Sequence, residues 1–193
     1  MKRFLKASKK MGLCALFFGL HVPNTWAVDS PSIGQLHPPV IASLGKQKVS
    51  VFFLKNNLKD KVSNVHVADA EIFYTPINFG GPELSYIWKV EGEEIASVFF
   101  FEKKSADVAG KSMYLLTRSH VENKGFRGLT YSVMEMPIIK EGDKISIKYF
   151  PGDPLDSVLQ NCNEGQDLVT GKAVICDYKD AAAIKKYLAS QDR

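Results

Sequence analysis

The sequence predicts a mainly β protein, an antiparallel β-sandwich of immunoglobulin-like type or a small barrel, closed by one C-terminal α-helix. Three observations predict it. In the body of the chain, apolar residues alternate far more often than they recur every three or four. Clusters of Asn, Asp and Gly interrupt these runs at short spacing. Helical periodicity is strongest near the end, over 180–190.

The start of the chain reads as an address. Lys2, Arg3, Lys6, Lys9 and Lys10 precede an apolar run over 11–20, and Thr25-Trp26-Ala27 puts small residues three and one places before a cut. Residues 1–27 are therefore expected to be a signal peptide. A membrane-spanning helix needs about 20 apolar residues, roughly twice this run. Cys14 lacks the small residues ahead of it that lipid attachment needs. Residues 28–42, with Pro31, Pro38 and Pro39, read as an extended leader, and 43–193 as one β-rich domain.

Removal of the signal changes the charge. Five of the 25 Lys and Arg lie before Val28, leaving 20 against 21 Asp and Glu. A nearly neutral remainder excludes the surplus of basic charge that nucleic-acid binding draws on. Cys14 leaves with the signal, so Cys162 and Cys176 form the even pair expected in an oxidising compartment. A disulfide between them closes a loop of about 15 residues and contributes on the order of 3 kcal/mol.

Along the body, 49–54 is a short strand ended by Asn56, Asn57 and Asp60, and 62–74 offers a second. Leu84, Tyr86, Trp88 and Val90 alternate with Ser85, Ile87 and Lys89, and Glu91-Gly92 turns the chain into 95–101, which predicts a hairpin. Val98-Phe99-Phe100-Phe101 is apolar on both faces and reads as a central strand. Strands follow at 113–117, 129–136 and 145–150, the last two facing each other across Glu141-Gly142-Asp143. Residues 154–159 read as one or two helical turns; 180–190, with Asp177 or Asp180 as cap, reads as the terminal helix.

The stretch Tyr86-Ile87-Trp88-Lys89-Val90-Glu91-Gly92-Glu93-Glu94-Ile95-Ala96 resembles the aromatic hairpin of bacterial extracytoplasmic immunoglobulin-like modules, in which a Trp strand turns at a Gly into an aliphatic strand. The resemblance implies a sandwich and carries no function.

Chemistry is sparse. His37 sits beside prolines; His66 would face away from Asp69 and Glu71 on a strand. Arg118, His120, Glu122 and Arg127 gather in a stretch that reads as a loop and forms the candidate interaction site. Adjacent Ser119 and His120 rarely meet the geometry of a nucleophile and its base. No catalytic, cofactor-binding or metal-ligating set is expected, and no cofactor.

The expected function is binding, in the periplasm or outside the cell, to another envelope or extracellular protein. The chain would act as an accessory subunit of an envelope assembly or as an inhibitor or immunity-type protein. Alternatives are a small envelope hydrolase using His120 with carboxylates and a purely structural domain. The mature protein is expected to begin at Val28, which the intact mass of the protein from an envelope fraction checks; a chain starting at Met1 with free Cys162 and Cys176 thiols would overturn export.

Overall fold

Alternation builds the first sheet. In β2 (Gln47–Lys55), Val49, Val51 and Phe53 are buried while Ser50, Phe52 and Leu54 take the other face. β3 (Ala70–Pro76) repeats the pattern with Ala70, Ile72 and Tyr74 inward. With β1 (Gln35–Leu44) and β4 (Ser85–Val90) they form an antiparallel sheet in chain order. The computed structural model describes residues 35–44, 47–55, 70–77, 84–90, 94–104, 110–142, 144–151 and 156–192. The predicted signal peptide over 1–27, the leader up to residue 34, His66, Asp69 and the 91–93 turn lie outside them.

From Gln35 onward, the stretch read as an extended leader is the edge strand β1. Pro38 and Pro39 fall between His37 and Val40, where the pairing with β2 slips. Proline has no N–H to give, so an edge and an irregular step are where a strand tolerates it. His37 is packed there, its ring edge-on to Phe53 at 5.4 Å.

The second sheet runs β10-β9-β7-β6-β5, with β8 on the remaining half of β7. Its strands are β5 (Glu94–Lys103), β6 (Gly110–Glu122), β7 (Phe126–Glu141), β8 (Lys144–Ile147), β9 (Cys162–Asp167) and β10 (Ala173–Val174). β7 is long enough to change partners: Phe126–Tyr131 pairs β9 and Ile138–Glu141 pairs β8. In the gap between them, the Gln160 side chain donates to the Val133 carbonyl and Ser132 Oγ accepts from Asn161 N at 3.2 Å. The backbone of β7 is thereby partly satisfied without a strand beside it.

Two cores result. Ser112–Thr117 of β6 is buried at six consecutive positions because both faces of this sheet are covered. Met113 and Leu115 join Val51, Phe53 and Ile72 between the sheets. Tyr114 and Leu116 join Phe99, Tyr131 and Val133 on the other face, against α1 (Ala181–Gln191). Burying each such side chain contributes about 1.5–3 kcal/mol.

The helix follows its sequence signals. Asp180 accepts from Ala183 N at 2.8 Å, and Ile184 and Leu188, four apart, face the sheet. Eleven residues are too few for a helix that stands alone, so its order comes from this docking. The Cys162–Cys176 disulfide, Cα–Cα 5.3 Å, ties the segment before the helix to the start of β9. No helix among the described residues is long and apolar enough to cross a membrane.

The predicted class therefore stands: mainly β, two antiparallel sheets and a C-terminal helix. The turn at Gly142, whose φ of +62° suits a glycine, joins β7 to β8, but β8 ends at Ile147 and pairs Ile138–Glu141; 129–136, expected to face it, pairs β6 and β9 instead. Four further local expectations change. The 84–101 hairpin does not form, since β4 pairs β3 in one sheet and β5 pairs β6 in the other. The segment that carried the immunoglobulin-like resemblance thus crosses between layers. Val98–Phe101 lies in the terminal strand of its sheet, of which β7 takes the centre; the apolar run reflects two covered faces, not a middle position. The 154–159 helix is reduced to a single 3-10 turn, Ser157–Leu159, capped by Asp156. Polar 163–166, expected in a loop, is β9.

Two glycines permit that last pairing. Gly128 sits opposite Gly165, and a Cβ on Gly165 would lie 2.2 Å from the Arg127 carbonyl oxygen and 2.7 Å from Gly128 Cα. Both obstacles are backbone. Gly165→Ala is expected to cost about 1–3 kcal/mol in chemical denaturation and to speed amide exchange in β9. Gly110→Ala, with nothing within 4 Å, is the neutral control; equal stability of the two variants would refute the close approach.

Candidate interaction surface

The residues singled out in the sequence lie on strands, not a loop. β6 continues through Arg118, His120 and Glu122, turns at Asn123–Gly125, and returns as β7 through Arg127. The turn is set by Asn123, whose side chain accepts from the N–H groups of Gly125 and Phe126. Unbroken pairing of β6 with β7 puts Arg118, His120 and Glu122 on the face that carries Tyr114 and Leu116. The polar composition that suggested a loop belongs to a ladder that runs past its buried stretch.

Partners divide these side chains. Arg118 Nη2 lies 2.6 Å from Glu94 Oε2 on β5. That carboxylate raises the guanidinium pKa further and keeps the charge fixed. Glu122 and Arg127 stand opposite each other and form a pair at 2.7 Å. Exposed pairs of this kind contribute about 0–1 kcal/mol. His120 is exposed, opposite Leu129. Ser119 takes the other face of the strand. Among the described residues, no group of three or more His, Cys, Asp or Glu side chains is placed to hold a metal ion.

The larger feature is on the first sheet. Its outer face carries a row running across three strands, Phe52 opposite Phe73 and Phe73 opposite Tyr86. Tyr86 is 50% exposed, and Ile41 on β1 is 64% exposed. The Phe73 and Tyr86 rings meet edge to face, centroids 5.6 Å apart. None of these residues belongs to either apolar cluster. Along one side of the row runs a second line, Leu54, Glu71 and Lys89. Partial burial, with Glu71 nearby, pushes the Tyr86 hydroxyl above its ordinary pKa.

A bulge creates this row. Ile72 opposes Trp88 and Phe73 opposes Tyr86, which leaves Ile87 as an extra residue in β4. Simple alternation put Tyr86 and Trp88 on one face. The bulge parts them: Trp88 packs toward the inter-sheet core with Tyr149 at 5.1 Å, and Tyr86 turns to solvent. The signal for the row is present in the sequence as Phe52, Phe73 and Tyr86, but only the register of three strands assembles it.

Two further places concentrate unusual side chains. On the helix-facing side of the second sheet, Glu135 accepts from Lys103 Nζ at 3.0 Å and from Ser112 Oγ at 2.8 Å. Beside it the buried Tyr114 hydroxyl reaches no partner among the described residues. Burial, then the Glu135 charge, pushes its pKa far up. At the β9–β10 turn, Asp167 accepts from Val169 N and Thr170 N, which holds its carboxyl below the usual range, and presents Val169 at 80% exposure.

Comparison with protein-family models, with curated proteins and with solved structures finds no match for this chain.

The tyrosines give a pH dependence. A hydrogen bond to Asp156 raises the Tyr187 pKa to about 12, and Tyr114 is raised further by burial. Unfolded tyrosine ionises near pH 10, so between about pH 10 and 12 the unfolded chain releases protons that the folded one keeps. Stability is expected to be unaffected by these groups below pH 10 and to fall as pH rises through that window. Tyr187→Phe should flatten the fall. Absorbance titration of tyrosinate against denaturant stability checks it, and a wild-type curve level to pH 12 would contradict it.

Proposed function

We propose that this protein works by binding another protein, in the periplasm or outside the cell, through the outer face of the first sheet. The row Phe52, Phe73 and Tyr86 carries the reading. An exposed tyrosine flanked by half-buried phenylalanines on an ordered sheet is the kind of aromatic group that dominates contact energies. The edge-to-face packing of Phe73 on Tyr86 makes an uneven apolar surface, which suits side chains of a protein better than the flat face of a sugar. β4 is also the terminal strand of that sheet, so its edge offers backbone groups beside Tyr86.

Export supports the place of action. The basic, apolar and small-residue order before Val28 is that of a cleaved signal, and the Cys162–Cys176 bond suits an oxidising compartment. The role that fits is an accessory subunit of an envelope assembly or an inhibitor or immunity-type protein, working without a cofactor. Arg118 and Glu94, Glu122 and Arg127 are paired with one another, which leaves less charge to offer from that end of the molecule.

The test uses the mature form as bait against the organism's own envelope fraction, followed by affinity measurement with whatever is retained. Tyr86→Ser and Phe73→Ser are expected to lose about 2 kcal/mol each, roughly 30-fold in affinity, with the melting transition little changed. Arg127→Ala should leave affinity within about twofold, since an exposed pair is worth little. Retention of the same partners at undiminished affinity by both aromatic variants would sink the reading.

A further inference from the structure

We propose that the Cys162–Cys176 bond is a redox latch on the second core. With both thiols reduced, the segment after Cys176 lifts from the second sheet and uncovers Phe99, Tyr114 and Tyr131, while the core between the sheets stays closed. The inference rests on neither export nor partner binding.

What holds the segment is slight without the bond. β10 pairs β9 through two residue pairs, Ala173 with Gln166 and Val174 with Gly165. Beyond it, α1 is three turns long and sends two fully committed side chains, Ile184 and Leu188, onto the sheet. Tyr178, Ala181 and Tyr187 pack beside them only partly buried, and the polar ties are at the surface: Lys179 with Glu164, Tyr187 with Asp156, Asp192 with Lys104 N, and Lys185 over the Phe99 ring at 5.3 Å. Such exposed contacts add little each.

The bond joins a fixed part to this weakly held one. Cys162 opens β9 opposite Tyr131 and so belongs to the sheet. Cys176, 1% exposed, lies between β10 and the helix and is itself part of the second core. Closing a ring of roughly 15 residues favours the joined state by about 100-fold over the open one.

The two cores are separable. No residue of α1 belongs to the cluster between the sheets, and no residue of the first sheet belongs to the cluster under the helix. Loss of the helix therefore removes one side of the second core and leaves the first with all its partners. On oxidation, the two thiols give two electrons and two protons to the disulfide of a thiol–disulfide oxidant, which departs as a dithiol. The aromatic face is covered as that bond forms.

Amide hydrogen exchange on the full chain, oxidised and then reduced with dithiothreitol, tests the latch. Reduction is expected to speed exchange across 181–190 at least tenfold while 49–53 and 72–74 keep their protection, and the C162S/C176S double variant should match the reduced chain. Ile184→Asp, with the bond intact, should open the same segment and spare the same strands, which keeps the test decisive should the double variant fail to fold. Equal protection of 181–190 in both redox states overturns the proposal, as does loss of protection in β2 and β3 together with the helix.

Discussion

The pairing of β6 with β7 is the constraint on which the rest of this structure depends. Eleven residue pairs, from Ser112 with Pro137 to Glu122 with Arg127, run without a slip, and so the two faces of the second sheet stay sorted over the whole length. A one-residue shift would send Met113 and Leu115 toward the helix and Tyr114 and Leu116 toward the first sheet. Both cores would be lost together. The burial of six consecutive side chains in β6 is the direct mark of this double duty.

The first sheet has the opposite character. Its inner face is sealed by Val49, Val51, Phe53 and Ile72, whereas its outer face carries half-buried Phe52 and Phe73 and exposed Tyr86. A sheet with one wet face ordinarily alternates apolar with polar residues. Ser50, Thr75, Glu71 and Lys89 follow that rule, and the aromatic row departs from it. The departure sits on strands whose other face is fully committed to the core, so a contact made there meets a rigid support.

What was legible in the sequence was period, and what was hidden was partnership. β2, the β7–β8 turn at Gly142 and α1 with its Asp180 cap are each specified by residues close together, and each is found where local pattern puts it. The β4–β5 hairpin looked as good by the same standard and is absent, β4 pairing β3 and β5 pairing β6. Ile87 shifts the phase of β4 by one residue, and nothing in the local alternation announces it. β9 carries no apolar rhythm at all; its place depends on two glycines 37 positions apart, Gly128 and Gly165, lying opposite each other. The polar stretch 118–127 was found, but its charges suggested a loop when they mark the solvated continuation of a ladder. The Phe52–Phe73–Tyr86 row is legible only to a reader who already knows three registers.

β7 changes partners part-way along, and this has a consequence for how the chain is made. A nascent chain emerging from its amino terminus can complete the β6–β7 hairpin as soon as Glu141 has appeared. The first half of β7 must then wait, one flank bare, until Cys162–Asp167 arrives some twenty residues later. In that interval the incomplete molecule offers an unprotected backbone next to exposed Tyr131 and Val133, an invitation to mispairing with neighbours. The segment from Cys162 onward is thus a shield for the middle as well as a layer of its own.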